Sequence, residues 1–219
     1  DGTIEELEPP GVEYYFKATD LGDPPAVSYL PDDGPGAPFT LDVQVSAWPV
    51  PFTEDFEPEG SEDDLLQLDW WTPTDGFGGY PWQLSTRARD SETAAYHPRG
   101  YDGVPAIDDW LISPALDFSP HDTLMVTWYE LGVSTTSIAH SLYISTSNRL
   151  PDDGGYNLVE ETLAAPPEGD WGRSVAVDLS DWAGEPIVYL AWRYQGSDDD
   201  DWYIDDIMVG ELTADFEAS

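Results

Sequence analysis

Apolar and polar residues alternate along much of this chain, and the alternation comes in short runs. Leu124–Leu131 (LMVTWYEL), Ser141–Thr146 (SLYIST), Tyr156–Glu161 (YNLVEE), Ser174–Leu179 (SVAVDL), Ile187–Tyr194 (IVYLAWRY) and Trp202–Val209 (WYIDDIMV) are rich in β-branched and aromatic residues. A period of two puts apolar side chains on one face of an extended strand and polar ones on the other, so each run predicts a strand with one wet face. Turn clusters such as Pro151–Gly155 (PDDGG) separate the runs, and 20 prolines and 19 glycines punctuate the whole chain. Helical periodicity over a dozen residues is nearly absent. Together these features predict an all-β protein, with a β-sandwich jelly roll as its main domain.

The first part of the chain reads differently. Val12–Ala18 (VEYYFKA) and Phe39–Val45 (FTLDVQV) predict two strands around a Pro/Asp/Gly loop, Gly22–Pro38. An immunoglobulin-like sandwich needs about 100 residues, so residues 1–48 are expected to be the closing strands of an Ig- or fibronectin-like module. Prolines within Ala47–Pro51 (AWPVP) block strand continuation and set the boundary. The expected organisation is therefore 1–48, a jelly roll over 49–211, and a tail at 212–219. The chain opens on Asp1 with no signal-peptide pattern, which suggests a fragment or processed product. No apolar run approaches the length needed to span a bilayer.

Charge sharpens the picture. The chain holds 45 Asp and Glu against 7 Lys and Arg, a formal net charge of −38. Acidic chains that stay disordered lack aromatic residues. This one carries 10 Trp, 12 Tyr and 7 Phe, which marks a folded core under an anionic coat. Such a coat disfavours nucleic acid and anionic membranes and attracts cations. It is expected of a halophilic setting, of calcium loading, or of both. With no cysteine, disulfides and thiolate chemistry are excluded.

From Pro51 onward the chain resembles the bacterial choice-of-anchor J or cleaved-adhesin family, relatives of the MAM-like jelly rolls. The resemblance is carried by Phe52–Glu57 (FTEDFE), Asp108–Phe118 (DDWLISPALDF), Leu124–Glu130, Ser141–Thr146, Trp171–Leu179, Ile187–Tyr194 and the closing Trp202–Val209, in matching order and spacing. The aromatic insert Trp70–Trp82 (WWTPTDGFGGYPW) departs from the pattern. Val12–Pro38 also looks like the tail of the β module that precedes such domains in large secreted proteins, including some peptidases. The resemblance implies a non-catalytic, calcium-stabilised, adhesin-like binding domain of a secreted or surface-anchored bacterial protein. Two alternatives stay open: a structural subunit of an extracellular assembly or filament, and an accessory part of a secreted hydrolase whose catalytic domain lies upstream.

Two constellations are candidate sites. Asp55 and Glu57 lie on the first strand of the jelly roll, and Asp205 and Asp206 on the last. First and last strands of a jelly roll are commonly neighbours, and acids converging there repel one another unless a cation lies between them. Calcium takes 6–8 oxygen ligands from carboxylates and carbonyls. The resemblance implies calcium in this region and adds Asp109 as a further ligand. The spacing from Asp55 to Glu62 only loosely follows an EF-hand loop, with Pro58 inside and Leu66 where the closing Glu belongs, and does not predict one. The second constellation is the ring set Trp70, Trp71, Phe77, Tyr80 and Trp82. Exposed, it would stack on a glycan or grip a protein ligand; buried, it would plug the end of the sandwich. The acidic run Asp198–Asp201 reads as a solvated loop. His97, His121 and His140 fall in no catalytic or zinc-binding frame, and no GxSxG elbow is present, so no enzyme is predicted. The expected partners are a glycan or protein at the cell surface, or a second copy of the chain.

Overall fold

The computed structural model describes residues 12–14, 16–19, 27–30, 36, 39–41, 45–58, 64–73, 81–99, 107–133, 139–151, 154–160, 169–196 and 201–211. The chain divides into two compact units, Asp1–Ser46 and Ala47–Ser219. The first contains β1 (Val12–Tyr14), β2 (Phe16–Thr19), β3 (Val27–Leu30) and β4 (Phe39–Leu41). β1 pairs antiparallel with β4, and β2 with β3. The single strand expected at Val12–Ala18 is thus two, each with its own partner.

The second unit runs through β5 (Trp48–Pro49), β6 (Phe52–Glu54), β7 (Gln83–Ser85), β8 (Ala94–His97), β9 (Ile107–Ile112), β10 (Leu116–Asp117), β11 (Met125–Gly132), β12 (Ala139–Ser145), β13 (Tyr156–Glu160), β14 (Gly172–Arg173), β15 (Val177–Asp178), β16 (Tyr189–Gly196) and β17 (Trp202–Gly210). Among the described residues the helical elements are short 3-10 turns such as Leu65–Leu68 and Ser180–Trp182. No helix among them is long and apolar enough to cross a membrane.

These strands form a β-sandwich. The larger sheet has the order β14-β11-β17-β8-β7, with β15 also on β11 and β6 also on β17; the smaller has the order β13-β12-β16-β9. Alternation assigns the faces. On β16, Leu190, Trp192 and Tyr194 enter the core while Arg193 and Gln195 point away from it. On β12, Leu142 and Ile144 do the same. The larger sheet answers with Val126, Trp128, Ile204, Ile207 and Val209. Trp128 meets Trp192 edge-on between the sheets, with ring centroids 5.5 Å apart at 85°.

Two irregularities shape the larger sheet. The strand expected at Ser174–Leu179 is shortened to β15, Val177–Asp178, with β14 just ahead of it at Gly172–Arg173. Ser174 Oγ accepts the Trp128 N–H at 3.0 Å, and the Ser174 N–H donates to the Trp128 carbonyl at 2.8 Å. The side chain thus takes over one rung of the ladder, and Val175 swings out to 78% exposure. On β17 the register against β11 slips between Thr127 and Tyr129. Asp206 sits at the slip with φ 48°, a left-handed conformation that costs a non-glycine residue about 1–2 kcal/mol. A bulge of this kind changes which residues face inward. Trp202 and Ile204 point to the core before it, Ile207 and Val209 after it, and Asp205 is left on the outer face.

Candidate functional site

β6, which opens the run that carries Glu57, and the last strand, β17, are neighbours, as the sequence implied. β6 pairs with β17, with Phe52 opposite Val209 and Glu54 opposite Ile207. Beyond Glu54 the chain turns sharply. Glu54 accepts the Phe56 N–H at 2.8 Å and the Trp70 indole N–H at 2.8 Å. Phe56 adopts φ 56° and buries its ring against Trp70. This turn sends Glu57 toward the connection between β7 and β8. Glu57 Oε1 accepts the backbone N–H groups of Glu92 at 2.6 Å and Thr93 at 2.7 Å. The Thr93 hydroxyl donates to the Phe56 carbonyl.

Asp205 reaches the same connection from β17. It has no solvent exposure. Its carboxylate accepts the N–H groups of Arg89 at 2.9 Å and Asp206 at 2.8 Å. Ser91 Oγ lies 3.2 Å from Asp205 Oδ2 and 3.0 Å from the Thr93 carbonyl, one hydroxyl proton between two acceptors. Burial pushes the Asp205 carboxyl up to about 6, and the neighbouring Asp206 charge adds to the rise. Glu57 and Asp205 therefore pin residues 89–93 from two sides, among oxygens from Ser91, Thr93 and Phe56.

The other predicted ligands have different partners. Asp55 is exposed. Asp206 accepts from Arg89 Nη1 at 2.8 Å, and that guanidinium also lies 3.5 Å from the Tyr129 ring centroid. Asp109 sits on β9 in the other sheet and is buried against His97 Nε2 at 2.9 Å. Among the described residues no three His, Asp or Glu gather as metal ligands. Oxygens around Ser91 are of the type a hard cation takes, with two carboxylates, each engaged by backbone N–H groups, where the sequence suggested more.

Comparison of the whole fold adds a frame. The K1 cleaved adhesin domain of Lys-gingipain from Porphyromonas gingivalis W83 superposes with a TM-score of 0.54 and 22% identity, covering 74% of this chain and 98% of that domain. The K2 domain gives 0.55 and 21%, with 74% and 98% covered. The K3 domain, also from strain W83, gives 0.53 and 20%, with 72% and 97% covered. The fold is cleaved-adhesin-like. No family model matches the chain, and no curated protein matches it in sequence.

Within this cleaved-adhesin-like fold the aromatic insert divides. Trp70 and Trp82 are core residues, at 0% and 3% exposure, and so are corrected as ligand platforms. Trp70 packs on Phe56 and Trp192, and Trp82 on Trp202 and His97. Trp71 is partly exposed and bridges to Ile112 at the edge of β9, where Pro73 also accepts the Trp110 N–H at 3.2 Å. Tyr80, Phe77 and Asp198–Asp200 lie outside the described residues. Asp201 is described, and it accepts the Tyr96 hydroxyl at 2.9 Å and the Arg99 N–H at 3.0 Å.

The histidines are structural. His97 stacks on Tyr194 at 3.8 Å and His140 on Trp202 at 3.7 Å, both inside the sandwich. Burial lowers both, His140 to about 3, with His97 adding a smaller push. His121 lies near the surface, with Nδ1 3.0 Å from Glu211 Oε1.

Sequence reasoning missed Arg89, Ser91 and Thr93, which complete the seam. Their only signal is a hydroxyl-rich turn ahead of the short run Ala94–His97. It also missed a cleft of about 360 Å³ beside β5 and β6, where Trp48 is 51% exposed next to Pro49, Pro51 and Pro114.

Proposed function

We propose that the second unit is a non-catalytic binding module of a secreted or surface-exposed protein, closed by calcium beside the seam where β6 and β17 meet. The observation that carries this reading is the convergence of Glu57 and Asp205 on residues 89–93. Asp205 is a buried carboxylate with hydroxyl and carbonyl oxygens around it and a raised affinity for its proton. A divalent ion held by Glu57, Asp205, Ser91, Thr93 and the Phe56 carbonyl would replace that proton and offset the burial of charge. Its role is to lock the seam; the ligand binds elsewhere on the sandwich. The cleaved-adhesin-like fold supports binding rather than turnover, at the level of fold alone.

The test combines stability and binding. Binding that favours the folded state adds about 2.7 kcal/mol at a hundredfold excess over Kd. The melting temperature of the full chain is expected to rise with calcium and return with EGTA. Asp205→Ala is expected to remove most of that response. A melting curve indifferent to both additions overturns the calcium seam. The full chain, passed over immobilised matrix proteins and soluble polysaccharides, is expected to be retained by at least one; no retention on either overturns the binding reading.

A further inference from the structure

The outer face of the smaller sheet does not look like the coat of this chain. Strand register sets out its rows. Trp71, Ile112, Ala191 and Tyr143 lie side by side; Trp110, Arg193 and Ser141 form the next row, and Asp108 and Gln195 a third. Leu190, Trp192 and Tyr194 alternate with these positions and fill the core, so the rows face away from it. Ala191 and Ser141 give the face a floor of small, buried side chains. Partly exposed rings stand around that floor: Trp110 lies 4.9 Å from Tyr143 and 5.5 Å from Tyr156, centroid to centroid.

A polar frame runs along one side of the rings. Arg193 donates from Nε to Asp108 Oδ1 at 2.7 Å and from Nη2 to Asp108 Oδ2. Its Nη1 donates to the Tyr143 hydroxyl oxygen at 3.0 Å, and its guanidinium lies 4.7 Å from the Trp110 ring centroid. Gln195 Nε2 donates to Asp108 Oδ2 at 3.2 Å. These contacts hold the side chains on rigid strands. They also leave groups to spare: among the described residues nothing pairs with the Trp110 indole N–H, the Tyr143 hydroxyl proton or the Gln195 carbonyl oxygen.

The charge of the face selects the ligand. In a chain with 45 acidic residues, the described rows hold one outward carboxylate, Asp108, and Arg193 neutralises it. Among the described residues of these rows Arg193 is the cation and Asp108 engages it, while Arg149, 6.0 Å from the Trp71 ring centroid, donates to the Asp69 carbonyl; an anionic ligand also meets a chain with a net charge of −38. A cationic ligand meets no carboxylate in the described rows other than Asp108, which Arg193 already holds. A neutral polyhydroxylated ligand fits: flat rings take the apolar C–H faces of pyranose units, and planar amide, guanidinium and carboxylate groups take their hydroxyls. Aromatic surface with a few fixed polar groups is the usual make-up of a small-ligand site.

We propose that this outer face is a binding site for a neutral glycan chain, with Trp110 and Tyr143 as stacking platforms and Asp108, Arg193 and Gln195 as the hydroxyl-binding frame. The proposal rests on the reading of the unit as a binding module. Affinity gel electrophoresis of the full chain tests it, through gels containing hydroxyethylcellulose, xylan, galactan or mannan, with polygalacturonate as the anionic control. Retardation is expected in at least one neutral gel and not in polygalacturonate. Trp110→Ala is expected to weaken it by about tenfold or more, equivalent to about 1.4 kcal/mol. Gln195→Ala, which leaves the rings in place, is expected to weaken it several-fold with an unchanged melting curve. Trp48→Ala, an exposed ring outside this face, is expected to change nothing.

Retardation that survives both Trp110→Ala and Gln195→Ala overturns the site and leaves the module reading intact. Equal retardation in polygalacturonate overturns the charge selection. No retardation in any neutral gel overturns the proposal. The immobilised-protein arm above then decides whether the binding reading falls with it.

Discussion

Glu57 holds the backbone of Thr93, 36 residues further along the chain, through an N–H···O bond of 2.7 Å, and Thr93 returns a hydroxyl bond to the Phe56 carbonyl next to Glu57. The exchange ties the strand that opens the sandwich to the segment leading into β8, and β8 itself pairs with β17. One carboxylate thus couples three parts of the larger sheet.

Glu57→Ala is expected to destabilise the unit. It leaves the partly buried Thr93 N–H without an acceptor, which costs about 1–3 kcal/mol, while the exposed Glu92 N–H turns to water. Glu57→Gln keeps one acceptor oxygen and removes the charge, so it is expected to retain most of the stability and lose calcium affinity. Urea denaturation with calcium and with EGTA separates the two effects.

Asp205 predicts a pH dependence with a definite sign. Its folded value of about 6 lies above the ordinary 3.8. Between these values the folded chain keeps a proton that the unfolded chain has released. In EGTA its contribution to stability is therefore expected to fall as pH rises from 3.8 through 6, with a slope of at most about 1.4 kcal/mol per pH unit. Calcium is expected to flatten the slope. Asp205→Asn is expected to remove it in either buffer, whatever the variant's absolute stability. Denaturation curves at half-unit pH steps check the difference between the two proteins.

His140 predicts the opposite trend. Its folded value of about 3 lies below the ordinary 6.5, so in that window the unfolded chain takes up a proton that the folded chain refuses. Stability is expected to drop as pH falls from 6.5 toward 3. His140→Phe keeps a flat ring against Trp202 and is expected to hold its stability in acid. Parallel acid titrations followed by tryptophan fluorescence give the comparison.

Salt is expected to stabilise the chain. The screening length shrinks from about 10 Å at 0.1 M to about 3 Å at 1 M, which weakens repulsion among surface carboxylates. The melting temperature is expected to climb across this range in potassium chloride. A flat response would show that the −38 charge is already balanced within the fold.

Much of the sandwich was legible because alternation reports which face a side chain takes. β11, β12, β16 and β17 fall on their apolar runs within a few residues. β7 and β8 were not legible: Gln83–Ser85 carries one apolar residue, Leu84, and leaves no period to read. The break after Ser174 was hidden because its cause is a serine hydroxyl replacing a main-chain rung. Trp70 and Trp71 show the limit most clearly. They are adjacent and identical in kind, yet Trp70 is core because its indole N–H meets Glu54, whereas Trp71 pairs with the edge of β9. Strand adjacency brought Glu57 and Asp205 to one connection. Asp109 went to His97 instead, a contact that no local spacing encodes.

The pairing of Phe52 with Val209 also fixes how the unit would carry a load. The start of β6 and the end of β17 lie side by side, so tension between them, once the β5–β10 rungs ahead of β6 have parted, peels β6 from β17 one rung at a time rather than sliding whole strands past each other. Anything that staples Glu57 and Asp205 to residues 89–93 sits just past the far end of that zipper, where it would act as the last stop before the sheet opens.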